Sequence, residues 1–330
     1  MKTKIVYVLV SDITDFYLEQ ALISIFSLRY YNPNAYVEVV VDDATYSSLF
    51  TNNRNIKEYV NNIVSVSVPP KYNKLQSSRY LKTNLRNLID DDFLFIDTDT
   101  VICSSLDTID DLECEIGSVL DFHGEAYKDD ALVWDYGNIE KMGWADCIQT
   151  SRFNSGVMYV KDTPKTHEFY KDWFYYWTKC YDNDIFIDQL SLRKTNYCHG
   201  LIKEIPGEWN CQISVERGKK LLSVARIVHY YNTSDIFYPF NDLRIWIKMK
   251  RNGHLPEELA SLLHNPRMAF LEEYKIIGNK EIQFLGSELF RVYESAPCYF
   301  HFLLFISRIY MNIKTKLWMV FNHHKNIQNG

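Results

Sequence analysis

"KIVYVLVSDITDFYLEQALISIFSLRYYNPNAYVEVVVDD", Lys4 to Asp43, decides the fold. Its first seven residues are a continuous, β-branched apolar run, as in a strand covered on both faces. The loop SDITDFY follows. Leu18, Ala21, Leu22, Ile25 and Leu28 then recur at helical spacing, and Asn32-Pro33-Asn34 ends that helix. Tyr36 to Asp43 is a second apolar strand. Strand, helix and strand in this order make a βαβ unit, which implies a parallel sheet.

The pattern continues outward from this unit. IKEYVNNI (56–63) predicts a helix, VSVSVPP a short strand and SRYLKTNLRNLI a helix. FLFIDTDTVI, Phe93 to Ile102, reads as one further strand. EIGSVLD and SGVMYVK read as strands, HEFYKDWFYYWTKCY and DIFIDQLSLRKTN as helices, and ARIVHYY (225–231) as a strand. From about Leu255 the chain reads as helical to its end. The expected class is α/β, a doubly wound, mainly parallel sheet flanked by helices. It spans residues 1–250, with a helical C-terminal extension over 251–330.

Composition sets bounds on function. The 330 residues are 47% hydrophobic and 24% charged, enough for a substantial core, and low Gly and Pro counts argue against long disordered stretches. A formal charge of −6 gives no nucleic-acid footprint. Seven scattered cysteines without a CxxC read as reduced thiols in a cytoplasmic protein. MKTKIVYVLVSD reads as a first strand and not a signal peptide, because Asp12 follows a short apolar run with no small-residue cleavage site.

Doubly wound sheets bind ligands beyond the carboxyl ends of their strands. Asp12, Asp42 and Asp43, and the pair Asp97 and Asp99 all lie at such ends. Two carboxylates one residue apart repel each other, and burying either unpaired is costly. Residues i and i+2 share a strand face, so Asp97 and Asp99 can reach one divalent ion; a solvated loop is the alternative. His229 ends the strand ARIVHYY and is a third candidate ligand, which favours Mn²⁺ over Mg²⁺. Arg79 and Lys82 share a helical face, as a solvated basic surface or as a clamp for phosphate or a sugar hydroxyl. Asn154-Ser155-Gly156 is a polar turn entering a strand, where Gly156 allows close backbone approach to a ligand. Asp188-Gln189 opens a helix, where the acid also suits the dipole. Trp209 and Asn210, in a Pro-Gly loop, fit a sugar platform or a plug for the core. No GxGxxG, Walker P-loop or GxSxG elbow occurs, which weighs against dehydrogenase, NTPase and hydrolase readings.

The order of these elements from Lys4 to Tyr231 resembles the family 8 glycosyltransferases, which include glycogenin-like and lipopolysaccharide galactosyltransferase-like enzymes. The DTD, FNSGV and DQ elements carry the resemblance most specifically. It implies a GT-A fold and a retaining, metal-dependent hexosyltransferase acting on a UDP-sugar and a saccharide or lipid-linked glycan acceptor, as in bacterial surface polysaccharide or lipopolysaccharide synthesis. By the same resemblance Asp97, Asp99 and His229 hold Mn²⁺ or Mg²⁺ on the donor diphosphate. Ser11, Asp12 and Tyr17 lie in the uridine loop, with Tyr17 or Phe16 stacking on the base. Arg79, with Lys82 and Thr98 nearby, contacts the donor, and Asn154, Asp188 and Gln189 line the sugar at the reacting carbon. The chain departs from the family after its late His, where HYYNTSDIFYPF lacks the usual Gly and Lys-Pro-Trp segment.

Two rival classes remain: a metal-dependent nucleotidyltransferase, which should carry a Gly-rich basic loop after its first strand, and a non-catalytic nucleotide-sugar-binding module. In the tail, 297–325, His301, Arg308, Asn312, Thr315 and Lys316 fall on one polar helical face. Arg308 near the middle disfavours a membrane span. An interfacial helix on the cytoplasmic face of an anionic inner membrane, or a helix packed on the catalytic domain, fits this pattern.

Overall fold

The computed structural model describes residues 1–49, 54–124, 133–231, 238–270 and 296, with scattered positions between 298 and 313. The opening βαβ unit is present as β1 (Lys4–Leu9), α1 (Tyr17–Tyr31) and β2 (Val37–Asp42). Next come α2 (Asp43–Ser48), β3 (Asn62–Val66), α3 (Lys74–Thr83), β4 (Phe93–Ile96) and β5 (Thr100–Ile102). The second half contains β6 (Ile116–Leu120), α4 (Val133–Met142), β7 (Phe153–Val160), α5 (Pro164–Tyr181) and α6 (Gln189–His199). It continues with β8 (Ile202–Glu204), β9 (Cys211–Gln212), α7 (Glu216–Lys219), β10 (Ile227–His229), α8 (Leu243–Asn252) and α9 (Glu257–Leu262).

Seven strands form one sheet in the order β3-β2-β1-β4-β7-β6-β8. β7 alone runs against its neighbours, so the sheet is mainly parallel, as expected. A second sheet has the order β5-β10-β9. The alternation of β1 sorts its side chains between two layers. Ile5, Tyr7 and Leu9 pack with Leu18, Ala21 and Ile25 of α1. Val6 and Val8 pack with Leu81 of α3 and with Phe169 and Trp173 of α5.

Three local expectations fail for identifiable reasons. IKEYVNNI is not a helix: Lys57 to Tyr59 form a turn, and Asn61 pairs through its backbone and side chain with Val37 at the start of β2. The helix lies earlier, at α2, where Asp42 caps it by accepting from the Thr45 N–H. FLFIDTDTVI is two strands, because Thr100 Oγ1 bonds the Asp97 carbonyl at 2.8 Å and turns the chain into the second sheet. DIFIDQLSLRKTN becomes helical only at Gln189, since Asp184 sits at φ 59°.

The boundary expected at residue 250 falls inside α8, and Leu259, Leu262, Ala269 and Phe270 join the α1-side core. Trp246 of α8 meets the Phe16 ring at 5.7 Å between centroids, and Lys250 lies 4.4 Å from the same ring while donating to the Asp15 carbonyl. Among the described residues no helix is long and apolar enough to cross a membrane. In the tail, Tyr299, Phe302, Phe305 and Tyr310 are exposed. The polar face expected there, His301, Arg308, Asn312, Thr315 and Lys316, lies outside the described residues.

Candidate active site

A cavity of about 430 Å³ opens at the carboxyl ends of β1 and β4. Asp97, Thr98 and Asp99 line it between β4 and β5, Asn154, Ser155 and Gly156 at the start of β7, and Arg79 and Lys82 along α3. The antiparallel pairing of β7 with β4 explains this meeting. Ile96 pairs with Val157, and the Asp97 N–H donates to the Gly156 carbonyl at 2.7 Å. The polar FNSG segment is thus the cross-strand neighbour of the acidic turn.

His229 arrives on β10, directly opposite Thr100 in an antiparallel register. Its Nε2 lies 3.2 Å from Asp99 Oδ1, and its Nδ1 lies 3.0 Å from Asn210 Oδ1. One ligand atom from each of Asp97, Asp99 and His229 falls within 4.8 Å of the others. Two carboxylates and one imidazole, converging from two sheets onto a polar cavity, are a donor set that fits a divalent cation, with Mn²⁺ suiting the nitrogen better than Mg²⁺. Burial raises the Asp97 carboxyl above the ordinary range, against the pull of Lys82 and with the repulsion of Asp99. Burial also opposes the charge of Asp99, but His229 outweighs it and holds Asp99 below that range. Gly156 is needed for space, since a Cβ there would lie 2.2 Å from His229 Cε1. The close approach that Gly156 allows is therefore to a side chain of this protein.

The second half of the site is built around Asp188. It precedes α6, but its side chain makes no cap hydrogen bond, so the dipole reading does not describe it. Instead, Arg79 Nε lies 3.1 Å from one oxygen, and Lys82 Nζ lies 3.3 Å from the other, which also accepts from Ser155 Oγ at 2.7 Å. Burial opposes the Asp188 charge, yet Lys82, Arg79 and Ser155 together push the carboxyl well below the ordinary range. Lys82, only 2% exposed, also lies 3.2 Å from Asp97 and so bridges the two acidic groups. Gln189 lines the cavity, and its amide is best satisfied donating to the Phe153 carbonyl at 2.7 Å.

Other expected residues serve elsewhere. Tyr17 lines the cavity and is 47% exposed, whereas Phe16 is covered by Trp246 and Lys250 and is no platform for a base. Ser11 and Asp12 do not line the cavity. Ser11 Oγ donates to Asp15 and accepts from Arg54, while Asp12 pairs with Lys74 at 2.6 Å, so both shape the loop. Asp42 and Asp43 are taken up by capping α2 and by Ser65 and Ser67. Trp209 is buried with Arg226 over its ring, and Asn210 is fully buried, so neither forms a sugar platform. Asn154 touches the cavity, but Asp121, Gly156 and Asn210 occupy its amide. Sequence reasoning missed Asp121, Phe122, Arg152 and Tyr231, which line the same cavity. The run EIGSVLD carried the signal for Asp121, an apolar strand ending in an acid just as FLFID does.

Solved structures share this architecture. The galactosyltransferase LgtC, crystallised in complex with donor and acceptor sugar analogs, is 16% identical, with a TM-score of 0.51 over 78% of this chain and 99% of that one. The fold is GT-A. The glycosyltransferase GlyE of Streptococcus pneumoniae TIGR4 is 15% identical, with a TM-score of 0.50 over 79% of this chain, and the match spans 63% of GlyE. No protein-family model and no curated protein matches the sequence. At these identities the likeness is one of GT-A architecture, and the chemistry rests on the cavity itself.

Proposed function

We propose that the chain is a metal-dependent, retaining glycosyltransferase that moves a hexose from a UDP-sugar to a saccharide or lipid-linked glycan acceptor. One observation carries this reading: Asp97, Asp99 and His229 converge in the same cavity as a carboxylate, Asp188, held ionised by the buried Lys82 and the half-buried Arg79. The first set suits a diphosphate carried with Mn²⁺ or Mg²⁺, and the second suits the sugar attached to it. The GT-A neighbours, a galactosyltransferase crystallised with donor and acceptor sugar analogs among them, support the same class.

Asp97, Asp99 and His229 are the residues that would hold the cation, and the chemistry it supplies when bound is neutralisation of charge on the leaving diphosphate. Tyr17 offers an exposed ring to the base. Arg79 adds positive charge on the donor side of the cavity. As the glycosidic bond breaks, positive charge grows on the sugar ring, and the ionised Asp188 stabilises it without reorganising, because Lys82, Arg79 and Ser155 already fix its oxygens. The acceptor hydroxyl attacks from the face the diphosphate leaves, and its proton passes to the departing phosphate. Exposed apolar residues at Phe302, Phe305 and Tyr310 support a tail that rests on the cytoplasmic face of a membrane, near a lipid-linked acceptor of surface polysaccharide synthesis.

The test is calorimetric titration of UDP into the protein with Mn²⁺ and then with EDTA, followed by a donor-sugar screen for turnover. Binding that EDTA abolishes, with turnover of one UDP-hexose, is expected. Binding indifferent to EDTA removes the metal from the reading. Metal-dependent binding without turnover on any acceptor makes the chain a nucleotide-sugar-binding module.

A further inference from the structure

The wall of the cavity farthest from Tyr17 has no part in the chemistry above. The sheet order sets its place: Tyr17 follows β1, Asp97 and Asp99 follow β4, Asn154 to Gly156 open β7, and Asp121 and Phe122 follow β6. Three strand spacings of about 4.8 Å separate β1 from β6, about 14 Å in all. A donor with its base at Tyr17, its diphosphate at the acidic pair and its sugar at Asp188 leaves the β6 wall to a second molecule. Phe122 is held on that wall against its backbone preference. It sits at φ 55°, ψ 18°, and His123 follows at φ 52°. Two successive side chains in the left-handed region are unfavourable, and such a turn persists only where its surroundings over-determine it.

Gln212, fully buried in β9, is what holds the turn. Its Oε1 accepts from the Phe122 N–H at 2.7 Å and from the Tyr231 hydroxyl at 2.9 Å. Its Nε2 donates to the Leu120 carbonyl at 2.9 Å, and its backbone N–H donates to His123 Nε2 at 3.0 Å. The amide cannot turn round, because the Phe122 N–H only donates and the Leu120 carbonyl only accepts. The Phe122 ring so placed is half-buried and lines the cavity, with the Arg152 guanidinium 5.5 Å from its centroid and the Tyr231 ring at 6.5 Å. Tyr231 in turn lies 4.6 Å from the His229 ring, so the wall flanks the side of the sugar where the diphosphate leaves. Asp121 is paired with Arg152 and bonded to Asn154, so the charges of the wall balance and its open group is an aromatic ring. Such a surface suits the apolar C–H face of a neutral pyranose better than an acid or a phosphate.

We propose that Gln212 is a positioning residue that holds the strained Phe122–His123 turn, so that the Phe122 ring is a platform for the ring of a neutral saccharide acceptor. That the saccharide is an acceptor rests on the function proposed above; its stacking on Phe122 and the clamp by Gln212 do not.

The test titrates methyl β-glucoside, methyl β-galactoside and methyl α-mannoside into the protein, with and without UDP and Mn²⁺, followed by saturation-transfer NMR. Wild type should bind at least one of them, with saturation strongest on the C–H protons of one ring face; binding none of the three overturns the proposal. Phe122→Leu should weaken that binding about tenfold. Gln212→Met keeps the volume but loses every side-chain bond, and it should weaken saccharide binding by a similar factor while UDP with Mn²⁺ binds within about threefold of wild type. The double variant should bind the saccharide no more weakly than Phe122→Leu alone, because Gln212 acts through that ring, and additive losses overturn the proposal. Equal loss of saccharide and of UDP with Mn²⁺ in Gln212→Met also overturns it, since a merely structural residue behaves so. Should Gln212→Met not fold, Gln212→Glu gives the same comparison, because it keeps one oxygen for Phe122 and sets the other against the Leu120 carbonyl. A wild type that binds a saccharide through Phe122 but never UDP with Mn²⁺ supports the platform and removes the transferase function instead.

Discussion

Gly156→Ala tests the site's geometry with one methyl group. The new Cβ would lie 2.2 Å from His229 Cε1 and 2.9 Å from both His229 Nδ1 and Asp97 Oδ2. Ordinary contact begins at 3.4 Å, so the imidazole must retreat by about 1.2 Å. The backbone of β7 cannot yield instead, because the Gly156 carbonyl accepts from the Asp97 N–H and its own N–H is bonded to Asn154. Such a retreat stretches the 3.0 Å bond between His229 and Asn210 beyond hydrogen-bond reach and carries Nε2 off the Asp99 side. A displacement of about 1 Å typically costs on the order of a hundredfold, or about 2.7 kcal/mol, when the affected atom must meet a ligand. Overpacking costs about 1–3 kcal/mol of fold stability in addition. The assay is calorimetry of Mn²⁺ in the presence of UDP, paired with urea unfolding. Gly137→Ala is the control, since nothing lies within 4 Å of a Cβ there. A folded Gly156→Ala protein that binds Mn²⁺ within threefold of wild type (about 0.7 kcal/mol) refutes the reasoning, because the imidazole would then be dispensable or differently placed.

Other perturbations probe the rest of the cavity. Lys82→Met removes the ammonium between Asp97 and Asp188 and should cost about 3 kcal/mol in urea unfolding, with Mn²⁺ raising its Tm more than that of wild type; equal shifts would show that Lys82 does not share the cation's role. Asp188 has a depressed folded pKa, so its stabilising contribution is present above the ordinary aspartate value of about 3.9 and is lost as pH falls toward the folded value. The stability gap between wild type and Asp188→Asn should therefore be flat near neutrality and close only in acid; a gap that closes near neutral pH argues against the ion pairs. Trp246→Ala removes the ring that holds Phe16 and should weaken UDP binding about two- to tenfold by loosening the loop before Tyr17, whereas unchanged affinity would separate α8 from the nucleotide site.

β1, β2 and β4 were legible because they are buried on both faces and read as apolar runs. Asp97, Asp99 and His229 were legible for a related reason, since two acids one residue apart at the end of such a run repel each other unless something positive lies between them. Asn210 was not. A Trp-Asn pair in a Pro-Gly loop looks the same whether the loop faces a ligand or the core, and only tertiary contact with His229 decides between them. Phe16 was misjudged likewise, because the residues that cover it lie more than two hundred positions later. The break inside FLFIDTDTVI escaped notice because FLFI before it and TVI after it both favour strands, and the turn depends on one hydroxyl, that of Thr100. Arg152 gave a signal no stronger than any charged residue near a strand end.

The acidic turn joins β4, whose neighbour β1 is made before it, to β5, whose strand partner is made much later. β1 to β4 are all present once the chain has grown to Ile96, but His229 follows Asp99 by 130 positions. At about 5–20 residues per second, roughly 7–26 s of synthesis separate them. During that interval β5 has no strand partner, since β10 is its neighbour in the finished sheet. Two serines of α1 give β5 a temporary berth: Ser27 Oγ accepts from the Ile102 N–H at 2.9 Å, and Ser24 Oγ meets Thr100 Oγ1 at 2.7 Å. A nascent chain can thus park its acidic turn against a helix it has already made, and close the site when β10 leaves the ribosome.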